Sequence, residues 1–146
     1  MKKFIRFVCI ALALSLLMTI PAYAESNTTA RGSHFFAAYG TDLYKASSTS
    51  FEIWFDVDSN AAMMDVLGVS EIVVYRSADQ QSWAQMRTFD MDLHPEMTEM
   101  NSYSYMNYVT YNYATPGYYY TARVTFYAKD NTGIGERDVY TEILLM

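Results

Sequence analysis

Strict alternation of side chains over residues 118–128 constrains the fold of this chain more than any other feature. A period of two places successive side chains on opposite faces of a β-strand, whereas a helix needs a period near 3.6. One face is apolar or aromatic and should pack in a core, and the other is mixed. The first face carries Tyr118, Tyr120, Ala122, Val124, Phe126 and Ala128, and the second carries Tyr119, Thr121, Arg123, Thr125 and Tyr127.

The same period recurs along the chain. Phe51, Ile53, Phe55 and Val57 alternate with Glu52, Trp54, Asp56 and Asp58, so we expect the second set to face water. The sequence predicts further strands within residues 34–45 (with Gly40 at a bulge or bend), 69–77, 83–90, 103–113 and 139–145. Between them it predicts a helical turn in residues 59–68 that ends at Gly68, and an irregular segment over residues 91–101.

Short strands separated by turn residues predict an all-β fold, a single antiparallel β-sandwich over residues 34–146. Thr115-Pro116-Gly117 has the chemistry of a type II turn, and residues 129–133 form a second turn. We predict that the core is formed by the apolar faces of three strands, namely Phe51, Ile53, Phe55, Ile72, Val74, Tyr120, Ala122, Val124 and Phe126.

The first 24 residues predict export from the cell. Three of the first six residues are basic, residues 7–20 are almost wholly apolar, and Ala22-Tyr23-Ala24 has the small-x-small pattern of a cleavage site. The apolar run is short for a bilayer span, which favours a cleaved signal peptide (1–24) over an anchor. We therefore expect a secreted, extracellular protein that starts at Glu25 with a flexible polar leader (25–33).

Charge and cysteine content exclude several functions for the mature chain. Beyond residue 24 there are seven basic and sixteen acidic residues, a net charge of −9. Such acidity disfavours nucleic acid and anionic membranes as partners and favours a cationic partner, such as a metal ion or a basic surface. The one cysteine, Cys9, lies in the predicted signal peptide, which excludes thiol catalysis and cysteine-based zinc sites.

Two segments resemble fibronectin type III and related immunoglobulin-like modules. They are Ile72–Asp79 with the following Ser82-Trp83, and Thr115–Val124. In such modules a tyrosine near the start of the sixth strand hydrogen-bonds backward as a tyrosine corner. Tyr120, four residues beyond Pro116, matches that position. The resemblance implies a sandwich architecture and leaves the function open, because these modules host many functions.

A second resemblance spans nearly the whole chain. Residues 53–57, 64–70, 109–111 and 123–128, together with the signal peptide, are similar to an uncharacterised family of small secreted proteins of clostridial Gram-positive bacteria. The resemblance implies secretion and the same fold. It implies no catalytic residues, since the family has none defined.

Candidate sites for metals and catalysis are few. Asp56, Asp58 and Asn60 have the alternate spacing of a calcium loop, but Ala61 stands where the turn glycine belongs and Leu67 where the bidentate acid belongs. We expect no cofactor, with calcium as the alternative. The histidines His34 and His94 belong to no metal motif, and no serine lies in a Gly-x-Ser-x-Gly elbow, so no catalytic residue is assigned.

The tyrosines suggest a binding surface. Nine of them fall between Tyr103 and Tyr127, and Tyr gives amphipathic contact area with little loss of entropy. We predict a non-enzymatic interaction module for an extracellular protein or glycan, with Tyr119, Thr121, Arg123, Thr125 and Tyr127 as the ligand-binding residues. The alternatives are a carbohydrate-binding module that uses Trp54, Trp83 and outer tyrosines for wall or host glycans, and a small hydrolase or hydrolase inhibitor.

Overall fold

The computed structural model describes residues 34–60 and 62–146. The predicted signal peptide (1–24) and leader (25–33) lie outside these residues. The described residues form nine strands and one turn of 3-10 helix at Pro95–Met97. The strands are β1 (Phe36–Lys45), β2 (Phe51–Ser59), β3 (Met64–Ser77), β4 (Ala84–Asp90), β5 (Thr98–Ser102), β6 (Ser104–Tyr111), β7 (Tyr119–Asp130), β8 (Gly133–Tyr140) and β9 (Leu144–Leu145).

The strands form two antiparallel sheets. The first has three strands in the order β1-β2-β6. The second has the order β4-β3-β7-β8, with β5 paired to the start of β3 and β9 paired to the start of β7. β7 is therefore a central strand, with β3 on one side and β8 on the other.

The two sheets pack face to face over one hydrophobic core. All nine predicted core residues are at most 1% exposed, as period-two alternation requires of strands with one buried face. Aromatic rings join the sheets: Phe51 lies 5.2 Å from Tyr120, and Tyr39 lies 5.1 Å from Phe126, between ring centroids. The predicted single antiparallel β-sandwich is confirmed.

The turn before β7 is built as the sequence predicted. Gly117 has a φ of +83°, which suits the third position of a type II turn and which glycine adopts without strain. The hydroxyl of Tyr120 reaches back and accepts a hydrogen bond of 2.8 Å from the amide of Thr115. This contact is the predicted tyrosine corner. It gives a completely buried phenol a hydrogen-bond partner.

Two predictions for the segments between strands are wrong. Residues 59–68 do not form a helical turn, because β2 continues to Ser59 and β3 begins at Met64. Gly68 lies within β3 at a φ of +152°, where a Cβ atom would lie 2.2 Å from the carbonyl oxygen of Met97. The lack of a side chain at Gly68 thus allows the 3-10 turn to lie against β3. The segment predicted as irregular, residues 91–101, includes most of strand β5, which pairs with β3.

Two other boundaries also differ from prediction. Gly40 pairs in regular register with Asp56, and the irregularity of β1 lies between Phe36 and Ala38. The last long strand, β8, starts at Gly133 rather than at residue 139. β8 is an edge strand that pairs only with β7. The first half of its sequence does not alternate apolar and polar residues, so the period of two does not reveal it.

Candidate functional site

The five predicted ligand-binding residues lie on the outer face of β7, which pairs with β3 on one side and with β8 and β9 on the other. Tyr119, Thr121, Arg123 and Thr125 are partly exposed, but Tyr127 is only 8% exposed. Burial raises the pKa of the Tyr127 phenol, and the neighbouring carboxylate of Glu136 adds to that shift. The prediction that these residues share one face is correct. The alternation did not reveal that Tyr127 is covered by other residues of the chain.

Arg123 is held by acidic residues of its own sheet. Its guanidinium donates hydrogen bonds to Glu71 of β3 at 2.5 Å and to Asp138 of β8 at 3.3 Å. Thr125 donates to the other oxygen of Asp138 at 2.6 Å. Burial would lower the pKa of Arg123, but Asp138 and Glu71 outweigh it and hold that pKa above its usual value.

An open groove of about 400 Å³ lies over Arg123. We call this surface the arginine face, and its charged residues are Arg123, Glu71, Asp90, Asp92, Glu136 and Asp138. Five carboxylates thus surround one arginine. Arg123 already forms ion pairs with Glu71 and Asp138. The positive charge on this face is therefore used to neutralise carboxylates of the same face.

The outer face of the three-stranded sheet has a different character. Register places Asp42 beside Trp54 and Tyr108, and Gly40 beside Asp56 and Met106. We call this surface the aromatic face, formed by Asp42, Tyr44, Glu52, Trp54, Asp56, Asp58, Met106 and Tyr108. No lysine or arginine is among the outward-facing residues of β1, β2 and β6.

The aromatic rings on this face contact one another. Trp54 and Tyr108 stack with centroids 4.8 Å apart and planes 25° apart. Tyr44 meets Trp54 edge-on at 6.2 Å. The indole nitrogen of Trp54 donates a hydrogen bond of 2.8 Å to Glu52, which fixes the ring further. Tyr44 is 53% exposed, Tyr108 40% and Met106 66%, so a large apolar surface faces solvent.

The carboxylates of the aromatic face have no ion-pair partner among residues 34–60 and 62–146. The carboxylate of Asp56 is one of them, and it makes no hydrogen bond to another described residue. Partial burial raises the pKa of Asp56, and the charge of Asp58 raises it further. Asp42 accepts a hydrogen bond from the amide of Leu43 and raises the pKa of Tyr44.

An open groove of about 330 Å³ crosses the aromatic face. Asp42, Tyr44, Trp54, Asp56 and Met106 contribute to its lining. It therefore combines aromatic rings, a thioether and two carboxylates within one depression. This mixture of apolar area with a few polar groups is typical of binding sites.

Other predicted positions are dispersed. Trp83 precedes β4 of the second sheet, so the two tryptophans do not share a surface. Asp56 and Asp58 point outward from β2, whereas Asn60 lies beyond its end. In the described part of the chain no three His, Cys, Asp or Glu side chains are grouped to hold a metal ion. The calcium site on Asp56, Asp58 and Asn60 stays a prediction.

The histidines lie apart from both grooves. His94 Nδ1 is 2.8 Å from the carboxylate of Glu96, and its ring meets Phe89 edge-on. This contact lowers the pKa of Glu96. His34 Nε2 lies 3.4 Å from the hydroxyl of Thr132.

Sequence reasoning missed most of the aromatic face. It singled out Trp54 and the acidic residues of β2, but not Asp42, Tyr44, Met106 or Tyr108. Alternation alone assigns Tyr108 to the face opposite Tyr105 and Tyr111, which is the usable signal. The register between β2 and β6 brings Tyr108 beside Trp54, and register depends on the whole sheet.

Comparison with known proteins adds little to this picture. No protein-family model matches the chain, and no curated protein matches it. The chain is similar to the solution structure of the sixth fibronectin type III domain of human fibronectin type III domain containing protein 3. The two share 13% identity, the match covers 82% of this chain and 88% of that chain, and the TM-score is 0.29. It is also similar to the X-ray structure of a Northeast Structural Genomics Consortium target, with 8% identity, coverages of 79% and 87%, and a TM-score of 0.36.

Both TM-scores are low. The assignment to the β-sandwich class therefore rests on the strand order, register and core of this chain. The resemblance to small secreted clostridial proteins stays a prediction. Within residues 34–60 and 62–146 no helix is long and apolar enough to span a membrane.

Proposed function

We propose that this protein is a non-enzymatic interaction module that acts outside the cell and binds a protein partner through its aromatic face. One observation carries the proposal. Exposed Tyr44, Met106 and Tyr108 surround Trp54 in a single patch, and carboxylates form its rim. Aromatic residues and Met are enriched at protein interfaces, with polar groups at the edge.

The arginine face supports this choice by contrast. Arg123 and Tyr127 were predicted as binding anchors, but Arg123 is engaged by Glu71 and Asp138, and Tyr127 is covered. A partner would have to break these contacts before it could use them. Binding there would therefore begin with an energetic loss that the aromatic face does not incur.

Export is part of the proposal and rests on the sequence of residues 1–24. That the module is non-enzymatic is also part of the proposal. His94 is paired with Glu96 and contributes to neither groove.

Carbohydrate binding is the second candidate. Trp54, Tyr44 and Tyr108 lie on one face together with carboxylates that can accept hydrogen bonds from sugar hydroxyls. A sugar-binding platform usually offers ring faces side by side. Here Tyr108 stacks on Trp54, and Tyr44 stands nearly perpendicular to it at 87°. The geometry favours a protein partner over a glycan.

The test compares two methionines of similar exposure. Met106, on the aromatic face, is 66% exposed, and Met100, on β5 of the other sheet, is 62% exposed. Immobilised wild type, Met106→Ala and Met100→Ala are used for pull-down from conditioned medium and for a glycan array. We expect wild type and Met100→Ala to retain the same protein and Met106→Ala to lose it. Equal retention by all three, or binding to glycans alone, would overturn the proposal.

A further inference from the structure

The groove of the aromatic face is built for a positive charge. We propose that it binds the cationic end of a lysine or arginine side chain that a basic protein partner presents. The inference rests on the proposed function and names the chemistry of the partner. It is carried by three features of the groove: an aromatic wall, carboxylates without a counter-charge, and a glycine that makes room for one of them.

The aromatic wall is held in place by contacts within its own sheet. Trp54 lies between Tyr108 on β6 and Asp42 on β1, and Tyr108 stacks on its ring. Glu52 accepts the hydrogen bond of the indole nitrogen. Tryptophan is the side chain that attracts a cation most strongly through its ring face, and Tyr44 adds a second ring to the groove.

The carboxylates of the groove lack a counter-charge. Asp42 and Asp56 both contribute to the lining, with Glu52 and Asp58 nearby on the same face. None of the four forms an ion pair within the described residues. Burial and the charge of Asp58 both make the ionised form of Asp56 less favourable than in water. A bound cation would remove that penalty, so charge complementarity selects a basic ligand.

Gly40 places the Asp56 carboxylate. A Cβ atom at residue 40 would lie 2.8 Å from Asp56 Oδ1 and 3.5 Å from Oδ2. The carboxylate therefore lies directly against the backbone of β1. The φ of Gly40 is not in the left-handed region, so space rather than backbone conformation requires glycine here.

The arginine face shows the arrangement that we infer, already complete within one chain. There, Arg123 lies among carboxylates from β3 and β8 and makes two ion pairs. The aromatic face has four carboxylates, and none of them forms an ion pair with a described residue, although Lys45 is exposed at the end of β1. These carboxylates are therefore available to a cation from another molecule.

The probe is a short synthetic peptide that alternates lysine and glycine, and its control is the same peptide with every lysine Nε-acetylated. Titration calorimetry at physiological salt measures Kd for wild type, Asp56→Asn and Asp58→Asn. Both variants remove one negative charge from the same face of β2, but only Asp56 lines the groove. At this salt concentration the Debye length is about 8 Å, so distant charges contribute little.

We expect Asp56→Asn to weaken binding about tenfold and Asp58→Asn less than about twofold, with no binding of the acetylated peptide. Gly40→Ala should also weaken binding, because its methyl group displaces the Asp56 carboxylate. Equal losses in the two aspartate variants would mean a diffuse electrostatic attraction and overturn the inference, as would equal binding of the acetylated peptide or no binding of the lysine peptide.

The two proposals fail in different ways. If Met106→Ala loses the captured partner while Asp56→Asn retains it with unchanged affinity, the aromatic face is a protein-binding surface but the groove does not select a cation. If Met106→Ala has no effect on capture, the proposed function is wrong. Circular dichroism and thermal unfolding of each variant establish that its fold is intact.

Discussion

The arginine face and the aromatic face are the outer surfaces of the two sheets of one sandwich. Carboxylates of the first form ion pairs with an arginine, whereas carboxylates of the second form none. On the arginine face Arg123 binds Glu71 and Asp138 and holds their charges in place. On the aromatic face Asp42, Glu52, Asp56 and Asp58 form no ion pair with a described residue, and three aromatic side chains lie among them. A self-compensated surface stabilises the fold, whereas an uncompensated one is available to a ligand.

This difference bears on the choice of binding surface. Tyr and Arg are the residues most enriched at binding hot spots, and the arginine face has both. Because Arg123 is hydrogen-bonded and Tyr127 is buried within the chain, we propose the aromatic face instead. Residue type alone is therefore a weaker guide to a binding site than residue type combined with the partners that the fold already provides.

The largest expected effect separates a covered tyrosine from an exposed one. Tyr127→Ala should lower the free energy of unfolding by about 3 kcal/mol, because a side chain that is 8% exposed leaves a cavity. Tyr44→Ala, on the aromatic face, removes a side chain that is 53% exposed and should change it by less than about 1 kcal/mol. Urea denaturation measures both. A loss below about 1 kcal/mol for Tyr127→Ala would restore Tyr127 as a candidate binding anchor.

A smaller effect tests the compensation of charge around Arg123. Arg123→Met leaves five carboxylates without their cation and should cost about 1–2 kcal/mol of stability, a range that allows for solvent screening of these partly exposed groups. The control is Arg137→Met, since among residues 34–60 and 62–146 the guanidinium of Arg137 bonds only to the carbonyl oxygen of Glu136. Thermal unfolding at low and high salt should show a loss for Arg123→Met that shrinks with added salt. Equal effects of the two variants would contradict the comparison.

The smallest expected effect concerns the pH dependence of the aromatic face. The raised pKa of Asp56 means that the folded state binds this proton more readily than the unfolded state. The contribution of Asp56 to the free energy of unfolding should therefore rise as the pH falls through its raised pKa. Asp56→Asn should remove this rise and change stability at neutral pH by no more than about 0.5 kcal/mol.

Asp79 serves as the control of opposite sign. It accepts hydrogen bonds from the amides of Ser82 and Gln81, which lower its pKa, so its contribution is lost on acidification. Denaturant titrations across the acidic range should show opposite slopes for the contributions of Asp56 and Asp79. The same slope for both would mean that the charge of Asp56 is compensated after all.

Much of the fold was predictable because its strands alternate. The nine predicted core residues are buried, and the tyrosine corner at Tyr120 forms as expected. The failures share a cause. Gly68 and β5 depend on contact between segments that are distant in sequence, and β8 depends on pairing with β7, so local patterns do not reveal them.

The sequence by itself determined the class of fold and which side chains of each strand face outward, because the period of two is a property of the local backbone. Only the tertiary structure decided which outward residues became neighbours. The register of β1, β2 and β6 placed Trp54 beside both Asp42 and Tyr108, although β6 lies far along the chain from β1 and β2. It likewise enclosed Arg123 between β3 and β8, because the partners of an outward side chain are set by pairing between strands.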